Sequence, residues 1–291
     1  MIAFWHSLGF GLVTAGVLAV SSVGLTVQFG VINYANISYG QYMTLGAYFT
    51  WDLTNYAHLN IWIAGLLACI GVGLVSLFIG KAIFSQFVKR GSPGSHMLLV
   101  TFATALLLSA IYSVAWGPSP RQLDIHALNA LHVGPFLFTA VQLYVIGLSA
   151  GLLIAMHLVL TRTRLGKAMR AMSDNMTLAR LTGIPTGRVT DAVWLITGFL
   201  AGVGGVALAI EIASFDINLG LNFFFVVMAA VVVGGIGKPY GTMVGALLIG
   251  VSIEVSTNVI PAQYKLDVAF LILILILLWK PQGISRITGK V

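Results

Sequence analysis

A chain of 291 residues in which 58% are hydrophobic and 8% are charged stands far from soluble globular proteins, where about a quarter of residues are charged. It reads as an all-α polytopic membrane protein with no room for a second, soluble domain. The net charge of +7 is spread by topology rather than gathered into a patch, which excludes a nucleic-acid role, and one cysteine, Cys69, excludes a disulfide framework within the chain.

An apolar run of roughly 20 residues crosses the hydrocarbon core as a helix, and eight or nine such runs are legible. The first Lys or Arg is Lys81, so the first run lacks the basic flank of a signal peptide and is expected to be a retained membrane helix. Helix one, over residues 8–28, is rich in Gly and Ser, which allow close helix contact. The stretch 31–48 is polar but uncharged, with no solvated loop dividing helix one from helix two. Non-helical backbone survives at membrane depth only where protein or a water-filled cavity satisfies it. A broken or re-entrant segment is therefore expected near residues 33–41, close to a translocation path. The plainer reading is that Asn36 or Ser38 caps a second helix running to about residue 49; the two are compatible.

Asp52, Asn55, His58 and Asn60 are expected in a short external loop before helix three, residues 61–79. Lys81, Lys89 and Arg90 with Gly91-Ser92-Pro93-Gly94 mark a cytosolic connector, and helix four follows over 97–116. In the outer segment 117–135, Pro118 and Pro120 stop the helix. Leu123, Ala127 and Leu131 recur at four-residue spacing, consistent with a short amphipathic surface helix or with plain loop. Helix five spans 138–160 and helix six 192–212, with Glu211 and Asp216 at its external end. Helix seven, 223–235, is short; helices eight and nine are expected over 242–260 and 268–279.

Between helices five and six, residues 161–191 carry Arg162, Arg164, Lys167, Arg170, Arg180 and Arg188, six of the fifteen Lys and Arg residues. If this loop is cytoplasmic, alternation puts Lys81, Lys89, Arg90, Lys238, Lys280, Arg286 and Lys290 on the same side, leaving only Arg121 and Lys265 outside; that is the positive-inside rule. Ser173-Asp174 offers an N-cap, residues 176–181 form about two helical turns, and Gly183 with Pro185 closes them. Met176, Leu178, Ala179 and Leu181 exceed what so short a helix hides alone, so it meets either its own helix ends or a separate subunit.

Gly-x-x-x-Gly recurs at Gly147/Gly151, Gly198/Gly202 and Gly241/Gly245, and close helix packing is expected there. Tyr39-Gly40 before Gly46-Ala47 is echoed by Tyr240-Gly241 before Gly245-Ala246, compatible with two repeated halves. Gly147-Leu-Ser-Ala-Gly151 matches a nucleophile-elbow string, but within an apolar helix and without the strand-to-helix turn that chemistry needs. Gly202-Val-Gly-Gly-Val-Ala207 lacks a βαβ unit, and no phosphate-binding Gly-Lys-Ser/Thr loop is present. The six His are scattered without metal-ligand spacing, and no paired carboxylates or nucleophile–base set support an intramembrane enzyme.

Arg170 to Ile184, with Arg170, Ala171, Ala179, Gly183 and Ile184 at characteristic positions, resembles the cytoplasmic-loop signature of the branched-chain (hydrophobic) amino acid ABC transporter permeases. Asn36-Ile-Ser-Tyr-Gly-Gln-Tyr-Met-Thr-Leu-Gly-Ala-Tyr48 is similar to that family's N-F-A-H-G-x-x-x-M-L-G-A-Y stretch. Gly234-Gly-Ile-Gly-x-x-x-Gly241 with Gly245 and Gly250 resembles its C-terminal glycine run, and Pro281-x-Gly283-Ile284 its terminal signature. The sequence departs from the pattern at Tyr39, where the family has His, at Gln41, where an acid is frequent, and at Asn175, whose acid stands at Asp174. The family's acid near Glu254 falls one residue earlier.

The resemblance implies a single permease domain over residues 1–291 in the bacterial plasma (inner) membrane, with a cytoplasmic coupling loop at 162–190. It implies a second, paralogous permease subunit, two ATP-binding subunits and a periplasmic solute-binding protein as partners, with no metal or cofactor on this chain. Coupling falls to Arg170, Ala171, Asp174, Ala179, Leu181 and Gly183. The expected path residues are Asn33, Asn36, Tyr39, Gln41 and Glu254, although Glu254 equally suits a satisfied polar contact. Helix packing falls to Gly198, Gly202, Gly234, Gly235, Gly237, Gly241 and Gly245. The expected solutes are branched-chain or other small amino acids, with urea, short amides or aromatic acids as alternatives. The competing function is an ATP-independent secondary transporter or channel.

Overall fold

The structure, a computed structural model, describes residues 2–91, 93–123, 130–133, 136–212, 214–280 and 283–284. In chain order the helices are α1 (Ile2–Ile32), α2 (Tyr39–Asn55), α3 (Ile61–Ile79), α4 (Ser85–Lys89), α5 (Gly94–Trp116), α6 (Ala140–Arg162), α7 (Arg164–Asp174), α8 (Met176–Leu181), α9 (Thr186–Ile212), α10 (Leu219–Gly234), α11 (Pro239–Ser256) and α12 (Lys265–Trp279). Among the described residues, seven helical stretches are long and apolar enough to span a bilayer, α3 and α4 counting as one. α10 at 16 residues is a shorter apolar helix, and α2 at 17 residues is shorter and more polar. Strand β1 (Arg121–Gln122) pairs antiparallel with β4 (Ser214–Phe215), and β2 (Ala130–Val133) with β3 (Phe136–Thr139).

The chain divides into two compact units. In the unit formed by residues 27–125 and 156–224, α2, α3 and α9 pack on one another, and glycines set how closely they approach. A β-carbon at Gly46 would meet the backbone of Gly202, one at Gly73 the carbonyl of Leu195, and one at Gly205 the carbonyl of Met43. Gly198 lies against Ser76, and Gly202 against Cys69 and Val72, so Cys69 is the small buried core residue its apolar run implies.

In the other unit, residues 1–26, 126–155 and 225–291, α10 ends at a glycine-shaped break. Gly235 and Gly237 have φ of 105° and 77°, a left-handed region that other residues enter at a penalty. The backbone of Gly234 lies against Gly241 and Thr242, and Gly245 against Ala230 and Gly234. The terminal signature closes this end: Ile284 N donates to Val233 O at 2.8 Å, satisfying a carbonyl that a helix C-terminus otherwise leaves bare. Buried Thr26 and Thr242 hydroxyls pair at 2.8 Å, as polar groups within membrane helices do. The echoed Tyr-Gly pairs both stand in the first turn of a helix that follows a short break, α2 and α11.

Several expectations are corrected. Asp52 and Asn55 belong to α2: Thr50, Thr54 and Asn55 side chains bond carbonyls of the preceding turn and Asp52 accepts from Trp116 Nε1, so these polar groups need no solvated loop. Lys81 and Lys89 prolong α3 through a π-helical turn, Gly80–Phe84, into α4, so the connector begins only at Arg90. α9 starts at Thr186, six residues before the expected start of helix six, and α11 ends at Ser256. Ala127 lies outside the described residues, and Leu131 is in strand β2 opposite Phe138; two short apolar runs with Gly-Pro between them in the sequence suit strands better than one helix. Gly147 and Gly151 face open space, with nothing within 4 Å of a β-carbon built on either.

Candidate functional site

The break between α1 and α2 occupies residues 33–38, and Gln41 falls in the first turn of α2 rather than in the break. Asn33 opens it with φ 59°; asparagine tolerates this conformation because its side chain bonds locally. No side chain caps α2. The first four amides, Tyr39 to Tyr42, donate to the carbonyls of Asn36, Ile37 and Ser38, so none of them remains for an anionic solute. The Asn36 and Ser38 side chains, expected as caps, turn to each other instead. Ser38 Oγ donates to Asn36 Oδ1 at 2.6 Å, and Asn36 Nδ2 donates to Gln28 Oε1 on α1 at 3.1 Å.

Asn36, Ser38, Tyr39, Gln41 and Gln28 are all buried, while Asn33 is exposed at the edge of the break. Tyr112 Oη donates to the Gln41 carbonyl at 3.1 Å, and Thr101 Oγ1 to that of Ala35 at 3.3 Å. Both Gln41 side-chain polar atoms and the Gln28 Nε2 find no partner among the described residues. An unsatisfied buried polar atom costs roughly 1–3 kcal/mol, which sets these three side-chain atoms apart from the matched polar groups of Asn36 and Ser38. Gln28 was not singled out from the sequence; the signal available was an amide near the end of an otherwise apolar helix.

Glu254 lies in the other unit and has its own partners. Its Oε1 accepts from Lys265 Nζ at 2.9 Å and from Thr14 Oγ1 at 3.4 Å. This arrangement suits the satisfied-contact reading of the two left open. With Lys265 side chain 38% exposed, a double-mutant cycle on Glu254→Gln and Lys265→Ala is expected to give a coupling of about 1 kcal/mol. Transport should change little. A collapse of uptake in Glu254→Gln alone would restore the path role.

The 162–190 loop holds two helices instead of one. Thr163 caps α7, its Oγ1 accepting from Gly166 N at 3.0 Å, and Gly166, Met169 and Met172 bury one face. α7 runs through Ser173 to Asp174, so the cap of α8 is Asn175, whose Oδ1 accepts from Leu178 N at 2.9 Å. This is the position at which the family pattern has Asp, and either side chain supplies the acceptor oxygen a cap needs. Gly183, φ 84°, ends α8, and Ile184 N returns to Ala179 O at 3.1 Å, the six-to-one closure of a helix C-terminus. Ala179 is buried and Ala171 half-buried, whereas Arg170, Asp174, Leu181 and Gly183 are exposed. Leu178 and Leu181 are 59% and 79% exposed; covering such side chains is worth roughly 1.5–3 kcal/mol each.

A helical chain with seven stretches long and apolar enough to span a bilayer among the described residues is a polytopic membrane protein. A family model described as "Branched-chain amino acid transport system / permease component" matches residues 7–278, and the chain belongs to that family; it is a permease component and not an enzyme. The high-affinity branched-chain amino acid permease protein BraD of Pseudomonas aeruginosa is 27% identical over 94% of this chain and 93% of its own length. LivH of Escherichia coli K12, also named a branched-chain amino acid permease protein, is 24% identical over 97% and 95%. Among solved structures, PsaBC from Streptococcus pneumoniae in complex with Fab is similar with a TM-score of 0.50 at 14% identity, over 94% of this chain and 91% of that chain; this likeness concerns the fold.

Proposed function

We propose that this chain is the membrane subunit of an ATP-driven importer for branched-chain or other small amino acids in the bacterial inner membrane. It works beside a second permease subunit, two ATP-binding subunits and a periplasmic solute-binding protein. The observation that carries the reading is α8: a helix capped at both ends, anchored inward by Ala179 and carrying Leu178 and Leu181 outward. A stiff element with an uncovered apolar face transmits a neighbour's movement as rigid-body motion. The buried amides of Gln41 and Gln28 then serve the solute's polar groups in passage. Weak holding suits release, since strong retention would slow it.

Uptake of labelled leucine into vesicles holding the full set of subunits tests this. Uptake should require ATP inside the vesicle; uptake by this chain without ATP-binding subunits would favour the channel reading. Gln41→Leu removes two orphaned polar atoms, so thermal stability is expected to rise by about 1–2 kcal/mol. Uptake should fall roughly tenfold, the equivalent of ~1.4 kcal/mol of lost polar contact. Loss of both stability and uptake would make Gln41 a structural residue.

A further inference from the structure

A cavity lies where α3 runs out through its π-helical turn. The turn and α4 place Lys81, Phe84, Ser85, Val88 and Lys89 along one wall of a cavity of about 500 Å³, and Arg180 of α8 and the first turns of α9 supply the facing wall. Its floor is aromatic: Phe84 and Trp194 stack with centroids 5.1 Å apart and planes 9° from parallel, and Tyr34 tilts against Phe84 at 6.3 Å. Gly80 makes this possible, since a β-carbon there would strike the Trp194 ring.

The charges around the cavity do not balance. Lys81 is held by Asp191, Nζ to Oδ2 3.0 Å, while Lys89 and Arg180 have no hydrogen bond or ion pair among the described residues. Three cations against one carboxylate leave two positive charges facing a space the size of a small-molecule site. Ile32, Val88 and Met176 add aliphatic surface to the same lining. A soluble anion would use the cations and leave this surface wet, whereas a lipid uses both.

We propose that this cavity binds the phosphate headgroup of an anionic phospholipid. Lys89 and Arg180 hold the phosphate, and the head of the acyl chains rests on the apolar wall. The proposal rests on the orientation reading that puts residues 81–90 and 162–190 at the cytoplasmic surface, where anionic lipids attract basic groups. Arginine suits the role because its fork matches phosphate oxygens. Lipid held here would bear on α8 directly through Arg180, linking bilayer composition to the proposed lever.

The test uses the full chain in nanodiscs of phosphatidylcholine doped with phosphatidylglycerol, with retained lipid counted by native mass spectrometry. Uptake is not read, so the result stands apart from the transport assignment. Retention of phosphatidylglycerol over phosphatidylcholine is expected, falling roughly tenfold or more in Lys89→Glu/Arg180→Glu. Asp191→Asn removes the carboxylate competing for Lys81 and should strengthen retention, a gain that misfolding cannot mimic. Arg164→Glu changes the same loop on α7, at an exposed residue outside the cavity lining, and should leave retention unchanged. The proposal is overturned if Arg164→Glu weakens retention as much, if Asp191→Asn weakens it, or if inorganic phosphate displaces the lipid. Loss of the lipid on assembly with ATP-binding subunits would assign the two cations to an acidic partner surface and overturn it as well.

Discussion

Gly205→Val is expected to leave almost no folded protein in the membrane. Gly205 sits on α9 where α2 crosses it, and a β-carbon there would collide with the carbonyl oxygen of Met43. The obstruction is backbone, which cannot rotate away as a side-chain tip does. Overpacking a core against yielding side chains already costs about 1–3 kcal/mol. Separating two helices that share further glycine contacts at Gly46 and Gly202 should exceed that range and use up much of a total stability of about 5–15 kcal/mol. Gly147→Val and Gly151→Val provide the contrast, because both glycines face open space. They should keep near-native yield and melting temperature in size-exclusion and thermal-shift measurements. Equal losses at all three positions would mean that glycine content, rather than helix contact, governs folding.

The second large effect is expected at α8, and it should separate assembly from folding. Leu181 is 79% exposed and Arg170 is also exposed, so Leu181→Asp and Arg170→Glu remove little from the isolated chain. If a nucleotide-hydrolysing subunit covers this face, losing one buried leucine should weaken association by about 2 kcal/mol, roughly 30-fold. Co-purification with the ATP-binding subunits and ATP-dependent uptake should fall together. Ala179→Arg acts from beneath: Ala179 is 3% exposed, and a long charged side chain there must lift α8 off its seat. Uptake should be abolished while the spanning helices stay inserted. Normal uptake in Ala179→Arg and Arg170→Glu together would remove the lever assignment.

How far residue order alone reached is clearest at the break and at the lever. The polar, uncharged stretch after helix one announced non-helical backbone at membrane depth, and residues 33–38 are non-helical and largely buried. The partners of that backbone were not legible. Asn36 meets Gln28 eight residues earlier, and Thr101 reaches Ala35 from α5, a pairing across 66 positions that no local rule supplies. At the lever, Gly183 as terminator was legible because a left-handed residue is a local demand. The cap was misplaced at Ser173-Asp174 because α7 was unforeseen. Its buried face, Gly166, Met169 and Met172, depends on α6, whose backbone at Val159 and Leu160 lies against Gly166. Arg121 read only as an outer charge; in the structure its guanidinium lies 4.6 Å from the Trp51 ring and bonds Trp116 O at 2.6 Å, while Trp116 Nε1 donates to Asp52.

By itself the sequence determined the solvent of this protein, most of its spanning stretches and the glycine terminator of α8, but not where α2, α3 and α11 end. All of these are set by transfer of single side chains into hydrocarbon or by backbone preferences within a few residues. Tertiary structure decided which glycines carry helix contact and which face open space, since Gly198/Gly202 and Gly147/Gly151 share one motif and differ only in what lies opposite. It also decided that Glu254 is matched by Lys265 while the Gln41 side chain finds no partner among the described residues. The cost or gain of a buried polar group resides in its partner, and partners are brought together only by the fold.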